Sequence, residues 1–328
     1  MARLSIYLAG AALSSALGSL LASAILTMDS IGTLKGWRMI FLVEGLVTVG
    51  VGIAAYFLVT DSIQSAPWLT KEEKALAEAR IKAENVVSTE VVESMRLTTL
   101  LGAIFNVPVL FNGLILLFTQ VTVQGMAVFL PSIVRTMFPH RSVVVLQLLS
   151  APPVFLAAIS TLMLCYLARK TGQRGVFVLV AAFTSATGFA IWVATDHHQA
   201  HLRYGAAFLV GFGSFVLGAL CLGWTSANCP SDTARAGSIS AVGVIGNVGC
   251  LISAWTYIPK DAPNYRIGHA INLSTMIGII ASTLLLLTYL RHQNHRKTKG
   301  ELDGRIQGLQ VADQQLLGHR HPGFKYSY

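Results

Sequence analysis

Apolar positions in this chain gather into eight long runs separated by short polar breaks: Leu4–Met28, Met39–Thr60, Val107–Leu130, Val143–Leu167, Gly175–Ala194, Tyr204–Ser226, Ala234–Tyr257 and Ile271–Leu290. A helix needs about 20 mostly apolar residues to cross a hydrocarbon layer of about 30 Å, and every run reaches that length. The first is too long for the apolar core of a signal peptide, about 7–15 residues, and a second run follows closely. The pattern predicts an all-α polytopic membrane protein with eight transmembrane helices. Glu44 is the one acidic residue inside any run.

The polar breaks divide the chain further. Residues 1–60 hold two runs, 61–98 form the one sizeable internal hydrophilic stretch, 99–291 hold six runs, and 292–328 form a tail. Within the hydrophilic stretch, Thr70 and Glu73 have the spacing of a capping box and predict a short charged helix on the membrane surface. The tail has scattered charge and glycine and reads as mostly unfolded.

Composition agrees with a membrane protein. Hydrophobic residues make up 53% of the chain and charged residues 12%, against about 25% charge in an ordinary soluble domain. Mean hydropathy is +0.60. The net charge of +9 does not point to nucleic acid, because the basic residues sit between the apolar runs, where they act as topology signals. With the amino terminus inside, the outside segments carry only Lys35, Arg38, Arg135, Arg141, Arg203, Lys260 and Arg266, and the rest of the 24 Lys and Arg fall inside. Both termini are therefore expected in the cytoplasm. Cys165, Cys221, Cys229 and Cys250 have neither disulfide nor metal spacing and read as small packing residues.

Polar groups within the runs are the candidates for chemistry. Glu44 lies roughly 8 Å into its helix, and serves either as an outer-half hydrogen-bond partner or as a proton-coupling group. The third run carries Asn112, Thr119, Gln120 and Gln124. Gln120 and Gln124 share a helix face, with Asn112 about 80° away. These side chains need internal partners or water, so they either bond between helices or line a wet substrate path. Pro152 and Pro153 remove two amide donors from the fourth run and are expected to bend or unwind it. Gly243, Gly246 and Gly249, three apart in the seventh run, read as a packing face beside Asn247. Trp224 and Asn228 lie toward the inner end of the sixth run, as an interfacial anchor or as part of a solute wall.

Soluble-enzyme chemistry is missing from the pattern. No glycine cluster follows a strand or ends in the Lys-Ser/Thr of a phosphate loop. His197 and His198 with Asp196 and His201, and the tail histidines His292, His295, His319 and His321, lack a second ligand cluster. The sequence implies no metal, no cofactor and no catalytic residue.

Taken together, "RLSIYLAGAALSSALGSLLASAI", "LKGWRMIFLVEGLVTVGVGIAAYFLVTDSIQSAPWLTKEEKALAEARIKAEN", "WTSANCPSDTARAGSISAVGVIGNVG" and "DAPNYRIGHAINL" resemble the major facilitator superfamily. More narrowly, they resemble the fungal anion:cation symporters of the allantoate and nicotinate permease group. The resemblance implies that the eight runs correspond to helices five to twelve of a twelve-helix fold, the first four being absent from this chain. It further implies proton-coupled uptake of a small organic anion across the plasma membrane, with alternating access between two bundles. Asn112, Gln120, Gln124, Trp224, Asn228 and Asn247 are then candidates for the substrate path, and Glu44 for proton coupling. The family's "G-x-L-x-D-R-x-G-R-R"-like turn has its counterpart in "YLARKTGQR", where Gly172 and Arg174 fit and Arg169 replaces the acidic residue. These three are gating-loop candidates. The alternative is a non-transporting membrane protein or an interaction subunit, with complementary amino-terminal helices as a possible partner.

Overall fold

The structure, a computed structural model, describes residues 2–27, 37–60, 62–84, 97–306 and 318–328. Its helices are α1 (Ala2–Thr27), α2 (Trp37–Leu58), α3 (Lys71–Glu84), α4 (Leu97–Ile104), α5 (Val107–Met137), α6 (Val143–Thr171), α7 (Arg174–Ala194), α8 (Ala200–Ala227), α9 (Asp232–Ser253) and α10 (Arg266–Thr298). Among the described residues, seven helices are long and apolar enough to cross a membrane: α2 and α5 to α10. The first run, expected as an eighth span, is helical as α1 but is not among these seven.

The chain forms two compact units, one of residues 24–96 and one of residues 1–23 with 97–328. In the smaller unit, α2 exposes Trp37, Phe41, Leu46 and Phe57, which suits a helix whose solvent is lipid. The capping box expected at the start of α3 is present. The Glu73 amide donates to the Thr70 hydroxyl at 3.3 Å, and the Glu73 carboxylate accepts from the Thr70 amide at 2.9 Å. That amide, with the Thr70 hydroxyl, holds the Glu73 carboxyl below its ordinary pKa.

In the larger unit, α8 packs against α5, α6, α7 and α9, while α10 packs against α5 and α7. Small residues permit this. A Cβ on Gly213 of α8 would strike the Ala181 carbonyl of α7, and one on Gly249 of α9 would strike the Leu117 carbonyl of α5. Lipid offers little hydrophobic drive between helices, so close contact and interhelical hydrogen bonds hold the bundle. Ser185 and Ser214 bond at 2.7 Å between α7 and α8, and Thr122 and Thr275 at 3.1 Å between α5 and α10. The expected glycine face of α9 is split. Gly246 and Gly249 meet α5, whereas Gly243 faces open space. Steps of three residues drift around the helix, so three such positions spread over about 120°.

Two further expectations change. The helix α6 continues unbroken through Pro152 and Pro153. Pro153 has no amide for the Leu149 carbonyl, and the Tyr204 hydroxyl of α8 donates to that carbonyl instead, at 3.0 Å. A neighbouring helix thus supplies the missing donor, and unwinding is avoided. The tail, expected to be mostly unfolded, is ordered wherever it is described. α10 runs on to Thr298, and the segment 318–328 returns to the bundle. The organiser is Lys297, whose ammonium donates to the carbonyls of His319, His321 and Phe324 at 2.7, 3.2 and 2.7 Å. It also lies 5.2 Å from the Phe324 ring centre and 4.7 Å from that of Tyr326.

Candidate functional site

The polar stripe of α5 is distributed over two neighbours. Asn112 is fully enclosed. Its backbone carbonyl and side-chain Oδ1 accept from the Cys221 thiol of α8, at 3.0 and 3.6 Å, and its side-chain Nδ2 has no hydrogen-bond partner among the described residues. Gln120 is half-buried against α9, its Nε2 3.5 Å from the Cys250 sulfur. Gln124, one turn further on, is half-buried with no side-chain hydrogen bond to another described residue. Asn247 is exposed on α9, between the two glycines that meet α5. The helical geometry therefore turns Asn112 inward toward α8 and leaves Gln120, Gln124 and Asn247 at or near a surface of the bundle. Glu44 is exposed on α2, and its backbone carbonyl accepts from the Thr48 hydroxyl at 2.8 Å.

A second polar centre had no counterpart among the sequence candidates. Arg203, in the first turn of α8, is fully buried. Its guanidinium donates to the carbonyls of Thr195 at 2.7 Å and Asn264 at 3.1 Å, and to His269 Nε2 at 3.2 Å. Because Arg is only a donor, Nε2 of His269 must accept, and the ring proton sits on Nδ1. There it faces the Tyr257 hydroxyl at 3.2 Å, which Asn272 also reaches at 3.2 Å. No carboxylate lies within ion-pair distance of Arg203 among the described residues; the nearby Asp196 pairs with Arg266 at 2.7 Å. The cluster ties the end of α7, the start of α8, the α9–α10 connection and α10 into one knot. The only hint in the sequence was a basic residue at a run edge next to Tyr204, and that also reads as an ordinary loop charge.

The profile of the Major Facilitator Superfamily matches residues 1–254. The chain belongs to the Major Facilitator Superfamily. An uncharacterized transporter of Schizosaccharomyces pombe is 32% identical over 304 residues, covering 91% of this chain and 58% of its own length. A high-affinity nicotinic acid transporter of Saccharomyces cerevisiae is 27% identical over 328 residues, covering 99% of this chain and 60% of its own length. A major facilitator-type transporter of Emericella nidulans, hxnP, is 25% identical over 328 residues, with 65% of its own length covered. The chain thus spans about three fifths of the length of these relatives. Membership makes it an integral membrane protein of a transport family rather than an enzyme.

The three gating-loop candidates fall where α6 ends and α7 begins. Arg169 is exposed in the last turn of α6, and Gly172 closes that helix at φ 72°, a left-handed conformation that favours glycine. Arg174 meets the carboxy-terminal segment: its Nη1 donates to the Ser327 hydroxyl at 2.6 Å, and its amide to the Tyr328 carbonyl at 2.7 Å. Trp224 Nε1 and Asn228 Nδ2 both donate to the Ser327 carbonyl, at 2.9 and 3.2 Å. The structure therefore brings Arg174, Trp224 and Asn228 together around the carboxy-terminal segment, at a distance in sequence from the α5 stripe.

Proposed function

We propose that the chain takes part in secondary transport of a small organic anion, nicotinate or a related carboxylate, coupled to protons. The observation that carries this reading is the α5 stripe, above all the buried Asn112 Nδ2, which has no partner among the described residues. An orphaned donor in a membrane bundle is costly, and a polar solute or water reaching it would remove that cost. Gln120, Gln124 and Asn247 offer further donors for a carboxylate, and Glu44 is the proposed proton carrier. The nicotinic acid transporter among the relatives supports the solute class, and the fungal anion:cation symporter group is the proposed subfamily. We place the protein in the plasma membrane, with both termini cytoplasmic.

Purified protein in liposomes, given labelled nicotinate and a panel of small carboxylates under an inward proton gradient, tests the reading. Saturable uptake is expected, reduced at least tenfold by Gln120→Leu with Gln124→Leu. Glu44→Gln should abolish the dependence on the gradient. Absence of uptake from monodisperse, folded protein across the panel would overturn transport by this chain alone. That outcome would favour the alternative, a non-transporting membrane protein or an interaction subunit.

A further inference from the structure

The last residues of the chain are gripped in a way that suits a peptide ligand. In an extended chain, successive residues present their N–H and C=O pairs to opposite edges. Asn294 of α10 reads the pair of Tyr326, donating to its carbonyl at 2.9 Å and accepting from its amide at 2.8 Å. Asn228 of α8 reads the pair of the next residue, Ser327, donating at 3.2 Å and accepting at 2.8 Å. Each asparagine amide thus imitates the edge of a neighbouring strand, one on either side. Trp224 Nε1 adds a second donor to the Ser327 carbonyl, and the Arg174 amide at the start of α7 closes on Tyr328. Tyr326 sinks its side chain into the core, at 6% exposed, and Phe324 and Tyr328 pack against that core partly buried; Lys325 is exposed.

We infer that the inner ends of α7, α8 and α10 form a slot for an extended peptide, and that the chain's own carboxy terminus is its exchangeable occupant. Occupied, the slot latches three helix ends into one block; vacated, it frees the inner end of α8. The grip consists of hydrogen bonds to the segment's backbone, three of them from the Lys297 ammonium, and of the buried Tyr326 ring. Its opening is a local transition at the end of the chain rather than global unfolding. The inference does not depend on which solute the bundle carries, or on whether it carries one.

Amide hydrogen exchange on the full chain in nanodiscs tests this. The amides of Tyr326 and Ser327 should be protected in the native protein. Ser327→Pro alters no helix residue, yet it removes the amide that Asn228 accepts. It should speed exchange at Tyr326 at least tenfold, speed it severalfold over residues 222–227 of α8, and leave residues 203–208 at the other end unchanged. Asn294→Ala, which loses both bonds to Tyr326, should do the same, and Lys325→Ala should do neither. An added peptide of the sequence Gly-Phe-Lys-Tyr-Ser-Tyr should restore protection of α8 in the Ser327→Pro protein. Unprotected amides at 326 and 327 in the native protein would overturn the slot. Release of the segment without any change in α8 would overturn the latch.

Discussion

At the scale of single residues, the tolerance of the bundle is decided by what a side chain would meet. Gly249 lies against the Leu117 carbonyl and the Gln120 Cβ, whereas Gly243 has nothing within 4 Å of the position a Cβ would take. Overpacking in a tight interior costs about 1–3 kcal/mol, while alanine gains up to about 1 kcal/mol over glycine inside a helix. Gly249→Ala should therefore lower the thermal unfolding midpoint in detergent clearly, and Gly243→Ala should leave it unchanged or raise it. Equal effects would show that the two glycines do not differ in packing. Arg203 is the other decisive residue. Its fork serves two carbonyls and His269 at once, a geometry that the ammonium of lysine does not reproduce. Hydrogen bonds to a charged group contribute about 1.5–3 kcal/mol each, so Arg203→Lys should destabilise by at least about 2 kcal/mol. Unfolding of the variant at the native midpoint would refute this role. Sequence reading missed Arg203 because a charge at a run edge has the same appearance whether it faces water or carbonyls. It singled out Asn112 because an amide deep inside an apolar run has few explanations. Trp224 and Asn228 were legible as unusual, but their partner, Ser327, lies 99 or more residues away.

At the scale of elements, hydropathy and length located the helices that cross a membrane well, and the local chemistry of Thr70 and Glu73 located the surface helix. What they could not show was how one helix repairs another. Pro153 leaves the Leu149 carbonyl without its helical donor, and Tyr204 supplies one from α8. The two residues should therefore be coupled. Tyr204→Phe keeps the edge-on contacts with Phe138 and Phe208 but removes the donor. Interhelical hydrogen bonds in membranes contribute about 0.6 kcal/mol on average and up to about 1.7, so a loss of about 1 kcal/mol is expected. In a Pro153→Ala background the new amide can serve Leu149, and the loss should shrink toward zero. A double-mutant cycle by reversible unfolding in mixed micelles measures the coupling. If the effects simply add, the hydroxyl does not replace the missing donor. The same reasoning explains why the tail escaped the sequence: its order depends on Lys297 collecting three carbonyls, and no short window of sequence contains both sides of that contact.

At the scale of the whole molecule, helix parity and charge make a joint statement about orientation. Six spans, α5 to α10, separate the hydrophilic stretch containing α3 from the tail. An even number returns the chain to its starting side, so the start of α5 and the end of α10 are expected on one face of the membrane. The α7–α8 and α9–α10 connections must lie on the other, which agrees with their ties to each other through Asn264, Asp196 and Arg266. Charge then makes the α3 stretch and the tail the expected cytoplasmic side: they carry about half of the 24 Lys and Arg, and the opposite connections carry few. In a strain lacking other reactive surface thiols, single cysteines at Ser65 and Lys325 should react with an impermeant maleimide only after the membrane is opened. Cysteines at His198 and Lys260 should react in intact cells. Reaction of Ser65→Cys and Lys325→Cys from opposite sides would break the six-span bundle. Reaction of both from outside would keep the bundle and reverse the assignment of its charged face. Only the expected outcome puts the slot that holds Tyr326 and Ser327 where cytosolic proteins could reach it.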